Sequence, residues 1–347
     1  MKKNRIVSLT IISILLVIVL LILANNILNP FYLRTLALCA VYTIVGLSLN
    51  LVIGFTGLFS LGQAGFMAIG AYTTSLLTMS LAAKQANFFV APLISPLNKI
   101  VWPFFPALIA GGLLAAFAAF LIGTPALRLN GDYLAISTLG FSEIIRIVLT
   151  NIQRLTNGAL GLIEIPTTAN VWWTFGAMGV TLVILQLLIN SSYGRALKAI
   201  REDEKAAEAM GINLYKHKIL SFCISAFFAG IGGGLLASLL GSIDPLQFRF
   251  LLTFNILLIV VLGGMGSLTG TVLSAFAVTI GTEALRFLDG PIIPNVPALP
   301  GLRMVVFAAL LMISILLFRS GIMGTKEFNW DGLLGFLKRK PLSKRGE

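Results

Sequence analysis

The sequence predicts an all-α polytopic membrane protein of about ten transmembrane helices, arranged as a five-plus-five inverted repeat with both termini cytoplasmic. Three observations lead there. The 347 residues are 57% hydrophobic and only 11% charged, with mean hydropathy +0.96, whereas soluble domains carry about 25% charged residues. The apolar stretches are continuous and approach or exceed the roughly 20 residues that cross a bilayer as a helix; a membrane barrel would show alternating segments of about ten residues. Basic residues are also placed unevenly, in the manner of cytoplasmic loops that collect Lys and Arg.

Taken in order, the apolar runs at 6–24, 31–53, 60–82, 104–123, 132–151, 172–190, 217–241, 250–267, 270–288 and 301–318 are read as helices. The first follows Lys2, Lys3 and Arg5 but is long and has no small-residue cleavage motif after it, so it reads as a retained helix and not a signal peptide. The fifth is interrupted by Glu143 and Arg146. With the N-terminus inside, the cytoplasmic segments gather Lys2, Lys3, Arg5, Arg128, then Arg195, Lys198, Arg201, Lys205, Lys216 and Lys218, and a basic tail. The exterior keeps Lys84, Lys99, Arg154 and Arg249. The Pro-rich segments 90–106 and 291–300 then fall outside, as irregular re-entrant or capping loops. Residues 1–30 form an N-terminal helix with its flanks, 31–318 the transmembrane domain with a cytoplasmic insert at 191–218, and 319–347 a basic cytoplasmic tail.

Two glycine-rich breaks interrupt the pattern. The first runs Gly54-Phe55-Thr56-Gly57-Leu58-Phe59-Ser60-Leu61-Gly62-Gln63-Ala64-Gly65. Glycines and hydroxyls at this density let a helix break, and the freed backbone groups are tolerated inside protein or against a watery cavity, not against lipid. A lining of the translocation path and an ordinary tight turn with close packing both fit. The path residues on the first reading are Gly57, Ser60, Gly62 and Gln63, with Thr138 from the fifth run. The second break, Gly263-Gly264-Met265-Gly266-Ser267-Leu268-Thr269-Gly270, is a gate or an interhelical turn. SLG at Ser60 and SLTG at Ser267 each follow a Gly-rich break, which supports the repeat. Gly230 with Gly234, and Gly111 and Gly112 with Ala115 and Ala116, have small-xxx-small spacing and read as helix-packing positions.

The longest polar segment between membrane-length runs is Ser191 to Lys218. A helical patch at Arg201–Met210 is ended by Gly211 as a left-handed cap, and Ala199, Ile200, Ala206, Ala207, Ala209 and Met210 offer a slim apolar surface at near-helical spacing for a partner's groove. A helix lying on lipid is the alternative, but four acids among its charged residues argue against it, since membrane-surface helices favour a basic polar face.

No enzymatic constellation is present: there is no carboxylate pair or Ser-His arrangement, no metal cluster, no implied cofactor and no GxxxxGK[ST] phosphate loop. Net charge +12 reflects cytoplasmic loops and not nucleic-acid binding. Cys39 and Cys223 behave as small apolar residues. His217, the single histidine, reads as solvated. Glu143/Arg146 and Glu283/Arg286 sit at i, i+3, so each acid is offset by its own base, although intramembrane charge also admits H⁺ or Na⁺ coupling.

Together, NLVIGFTGLFSLGQAGFMAIGAY (50–72), PALRLNGDYLAISTLGFSEIIRIVLTN (125–151), GRALKAIREDEKAAEAMGIN (194–213) and VLGGMGSLTG (261–270) resemble the permease subunits of ABC importers for branched-chain amino acids, in particular the LivM-like branch. The resemblance spans most of the chain from Asn50 onward. It implies a bacterial plasma (inner) membrane location and a second, LivH-like permease. It further implies two cytoplasmic ABC ATPase subunits and an extracytoplasmic binding protein that delivers leucine, isoleucine or valine. The segment 204–211 looks like the family's coupling helix, with Arg201, Glu204, Ala206, Ala207 and Gly211 as ATPase-coupling residues. It departs from the EAA-x-x-x-G pattern, since Lys205 stands in the place of its Glu and Glu204 lies one position earlier. Related permeases move urea, short amides and other amino acids, and an ion-coupled secondary transporter is the rival from another class.

Overall fold

In the computed structural model the described residues are 2–89, 91–129 and 131–286, with 305–306, 308–309, 312, 321–324 and 327 beyond them; side chains are described from residue 15 onward. These residues are helical, with no strand among them beyond a single antiparallel bridge between Leu162 and Ile243. The helices are α1 (Lys2–Ile27), α2 (Pro30–Asn50), α3 (Gln63–Thr78), α4 (Leu81–Asn87), α5 (Phe104–Ala126), α6 (Asp132–Asn151), α7 (Gln153–Thr156), α8 (Val171–Asn190), α9 (Ser192–Glu202), α10 (Glu204–Ala209), α11 (Leu214–Leu240), α12 (Phe250–Gly263) and α13 (Leu268–Ala284). A π-turn at Leu51–Phe55 continues α2. Five of these are long and apolar enough to cross a membrane: Pro30–Phe55, Phe104–Ala126, Asp132–Asn151, Val171–Asn190 and Leu214–Leu240. Apolar helices at Leu15–Ile27, Phe250–Gly263 and Leu268–Ala284 are shorter. The protein is an all-helical, multi-pass membrane protein.

The core is a glycine-lined triple of α3, α5 and α11, which make the most extensive contacts of the fold. A Cβ built on Gly70 of α3 would strike the Gly230 backbone of α11, and one on Gly233 would strike the Met67 carbonyl. A Cβ on Gly230 would in turn lie 2.7 Å from that of Ala115 on α5. Backbones this close leave no room for side chains, which explains the packing role of Gly230 and Gly111. Around this triple, α2 packs on α8, α11 and the α12–α13 pair. Leu113, Phe117 and Leu121 of α5, Val183 and Leu187 of α8, and the Leu15–Leu20 stretch of α1 stay exposed, as lipid-facing surfaces do.

At one end, the described residues of 88–103 form a capping loop. Lys84, only 2% exposed, donates from Nζ to Leu97 O at 2.9 Å and to Ile100 O, and Trp102 N bonds Leu77 O. Asn87 pairs with both backbone groups of Ile163, so the 157–170 segment joins the same cap. The lysine expected in an open exterior loop is thus a buried clamp, and its desolvation pushes the ammonium pKa down.

Several boundaries differ from expectation. The helix expected over 60–82 begins only at Gln63 and ends at Thr78; its 16 residues reach about 24 Å at 1.5 Å per residue, short of a bilayer core of about 30 Å. Residues 56–62 are drawn out of helix at its start, and Ser80 starts α4 by accepting from Ala83 N. The 250–267 run stops at Gly263 because Gly264 has φ +112. Glu143 and Arg146 pair at 2.7 Å, and Glu283 and Arg286 at 3.6 Å, as their i, i+3 spacing implies. Most of the run 301–318, the loop 291–300 and most of the tail 319–347 lie outside the described residues.

Candidate functional site: two helix breaks and the insert

The first break is held open by side chains from three other helices. The N-terminus of α3 leaves N–H groups with no partner within the helix. Leu61 N donates to Thr138 Oγ1 of α6 at 3.0 Å, and Ala64 N donates to Thr253 Oγ1 of α12 at 3.0 Å. Gly62 N donates to Ser60 Oγ, and Gln63 Nε2 to Ser48 Oγ of α2. The structure therefore brings Ser60, Gly62, Gln63 and Thr138 into one polar cluster where α2, α3, α6 and α12 meet. Ser60 and Gln63 are 2% exposed and Thr138 1%, so the cluster is closed within this chain. Gly57 lies apart from it, facing the insert.

The second break lies beside the first. Asn50, fully buried at the end of α2, accepts from Gly266 N at 2.9 Å and donates to Ser267 O at 2.9 Å and Thr271 Oγ1 at 2.7 Å. Residues 321–324 run across this break: Ile322 N bonds Leu262 O and Met323 N bonds Gly263 O. Glu327 caps α13, accepting from Leu268 N at 2.7 Å and from Thr269. Between the breaks and the insert is a polar cavity of about 310 Å³, walled by Phe55, Gln186, Asn190, Lys198, Arg201 and Glu327 among others.

The insert is two helices, not one. Arg201 belongs to the last turn of α9, and Asp203 starts α10 by accepting from Lys205 N and Ala206 N. An N-cap needs extended backbone, which Asp203 adopts at φ −156, ψ 113, so the helical pattern expected through Arg201–Met210 is cut there. Gly211, at φ +83, ends α10 as expected, and Asn213 starts α11 by accepting from Lys216 N. Of the five expected coupling residues, three face this chain. Arg201 donates to Gly54 O at 2.8 Å, Glu204 pairs with Lys218 at 2.7 Å, and Ala207 is buried. Ala206 and Gly211 are exposed with Ala209 and Met210, the last 83% exposed.

Asn50, Ser48, Thr253, Thr271 and Glu327 had not been singled out from the sequence. An amide in an apolar run directly before a glycine-rich break was a usable signal for Asn50. Lone hydroxyls such as Thr253 gave none, since a Thr in an apolar run is ordinary until its partner is known.

The sequence pattern of the family described as "Branched-chain amino acid transport system / permease component" matches residues 31–315. The chain is 38% identical over 283 residues to the high-affinity branched-chain amino acid transport system permease protein LivM of Escherichia coli (strain K12), covering 72% of this chain and 62% of that protein. It is 28% identical over 271 residues to the probable branched-chain amino acid transport permease protein LivM of Methanocaldococcus jannaschii, covering 69% and 76%. It is 30% identical over 211 residues to the corresponding LivH of E. coli (strain K12), covering 55% and 64%. The chain thus spans less than two thirds of the length of the E. coli LivM protein. No solved structure matches it.

Proposed function

We propose that this chain, which belongs to the family of branched-chain amino acid transport system permease components, is the transmembrane permease subunit of an ATP-driven importer for leucine, isoleucine and valine. The observation that carries the proposal is the α9–α10 insert, a capped helix pair that presents Ala206, Ala209 and Met210 outward while Arg201 and Glu204 anchor it inward. A small, mostly apolar knob fixed to the membrane domain suits docking into a groove on a separate motor. The partners of this reading are a LivH-like permease, two cytoplasmic ATPase subunits and an extracytoplasmic binding protein, in a bacterial inner membrane. Ten spans, the inverted repeat and cytoplasmic termini belong to it.

The path runs by Ser60, Gly62, Gln63 and Thr138, with Gly57 at its inner end. These residues are closed in the single chain, so passage requires α6 and α3 to part where Gly62 meets Thr138. A helix broken inside the membrane, its loose ends satisfied by neighbouring hydroxyls, is how transporters place polar backbone beside a substrate.

The test is co-purification followed by reconstitution. The tagged chain should retain ATPase subunits through detergent extraction, and vesicles holding the complex should take up leucine only with ATP and binding protein. Uptake without ATP, or a chain that never brings an ATPase with it, would overturn the reading.

A further inference from the structure

We propose that Arg201 is a positioning residue that links the insert to both helix breaks at once, so that movement of the insert is passed to the path through this side chain. The inference rests on the ATP-driven reading above and names the residue that transmits the drive.

Four features converge on the guanidinium. First, the Gly54 carbonyl has lost its α-helical partner. The group four residues on, Leu58 N, bonds Val52 O instead, because the π-turn has shifted the ladder. Arg201 Nη1 takes the carbonyl at 2.8 Å. Secondly, Gly57, in the first break, has φ +77, and a Cβ there would lie 2.9 Å from Arg201 Cγ and 3.2 Å from its Cα. Thirdly, Gly266, in the second break, has φ +90, and a Cβ there would lie 2.9 Å from Arg201 Nη1. Each break thus places a left-handed glycine against the same side chain. Fourthly, Asn50 bonds Gly266 N, Ser267 O and Thr271 Oγ1, so the α2 end and the second break are tied together beneath the arginine.

The rest of the insert is fixed at other points. Glu204 pairs with Lys218 on α11, and Leu197 and Ile200 are buried. Glu202 accepts from Nε and Nη2 of the Arg201 guanidinium at its exposed edge. A charged group that bonds a freed carbonyl in one break and leaves no room for a Cβ on Gly266 in the other is placed to move both. The outward patch at Ala206, Ala209 and Met210 is separate from it, so docking and transmission use different residues.

The experiment uses the full complex of permease pair, ATPases and binding protein, reconstituted in vesicles. It reads leucine uptake, ATP hydrolysis with and without loaded binding protein, and ATPase retention, all per mole of assembled complex. Arg201→Ala should keep the ATPase bound and hydrolysing. Uptake should fall by about tenfold or more, a rate change of one decade in the barrier, and hydrolysis should cease to respond to the loaded binding protein. Arg201→Lys, which keeps one donor for Gly54 O, should recover part of both. Gly266→Ala, which crowds Nη1 from the far break, should repeat the uncoupling with the sequence of the insert unchanged. A purely structural role would lower uptake and hydrolysis together and leave their ratio unchanged, overturning the inference. Loss of the ATPase from Arg201→Ala complexes would make Arg201 a docking contact and also overturn it. If the wild-type complex takes up leucine with ATP and Arg201→Ala does the same, only the inference fails; if the wild type shows no ATP-driven uptake, the parent reading fails with it.

Discussion

At the scale of single residues, the polar cluster at the start of α3 gives the sharpest expectations. A Cβ on Gly62 would lie 3.3 Å from Thr138 O and 3.5 Å from the Phe66 ring, so a methyl is nearly accommodated but a branched side chain is not. If the break lines the path, Gly62→Leu should reduce uptake per mole of recovered complex roughly tenfold, a barrier increase of about 1.4 kcal/mol. Leu16→Phe, on the exposed face of α1, is the control, and uptake of the Gly62 variant at the control's level removes this segment from the path. Lys84 makes a prediction about pH. Burial lowers its pKa, so between that lowered value and the ordinary lysine value of about 10.4 the unfolded chain binds more protons than the folded one, and stability rises with pH. Melting of the detergent-solubilised protein followed across the alkaline range should show this rise. It should flatten in Lys84→Met, which also leaves the Leu97 and Ile100 carbonyls without their donor.

Among the elements, the proposed function gives the insert and the tail segment separate duties. Gly211 sits at φ +83, which proline cannot adopt because its ring holds φ near −65°. Gly211→Pro should disorder the end of α10 and its exposed patch, weakening ATPase retention about tenfold, or roughly 1.4 kcal/mol. Truncation after Glu327 should leave retention intact, since Glu327 itself, which caps α13 through Leu268 and Thr269, is kept. A pull-down in which only the truncation loses the ATPase would reverse the two assignments. The reason for placing the cut after 327 and not before it is structural: 321–324 lie across Gly263 and Gly264, so an earlier cut would confound docking with damage to the second break.

For the whole molecule, the question is what drives it. Glu143 and Glu283 each have their base one turn away, so neither is an isolated intramembrane carboxylate of the kind that carries protons. Glu143→Gln and Glu283→Gln complexes should keep ATP-dependent uptake, and a protonophore at constant ATP should change it less than about twofold, which is below roughly 0.5 kcal/mol. Collapse of uptake on dissipating the gradient would instead favour the ion-coupled transporter. The helices are arranged as a glycine-packed triple of α3, α5 and α11, two adjacent breaks, and an insert attached at a few charged points.

Much of this was legible in order along the chain. Helix position follows from local properties, so α6 matches its apolar run residue for residue and α5, α8 and α11 do so within a few residues, despite Glu143 and Arg146 inside α6. The glycine-rich breaks, the Gly211 cap and the i, i+3 ion pairs are equally local, since each depends on residues a few positions apart. What the linear pattern did not contain was contact across long separations. Thr253 serving the N–H of Ala64, Asn50 serving Gly266, and Arg201 reaching Gly54 join residues some 150 to 220 positions apart, and nothing in a hydroxyl, amide or guanidinium alone says which freed backbone group it will meet. The division of the insert at Asp203 was also hidden, because an Asp within a helical pattern can either point to solvent or cap a new helix. Tertiary packing chose the second: Arg201 is held at the breaks by Gly54 O, Glu204 is held on α11 by Lys218, and the turn at Asp203 lets the two helices between them serve both anchors.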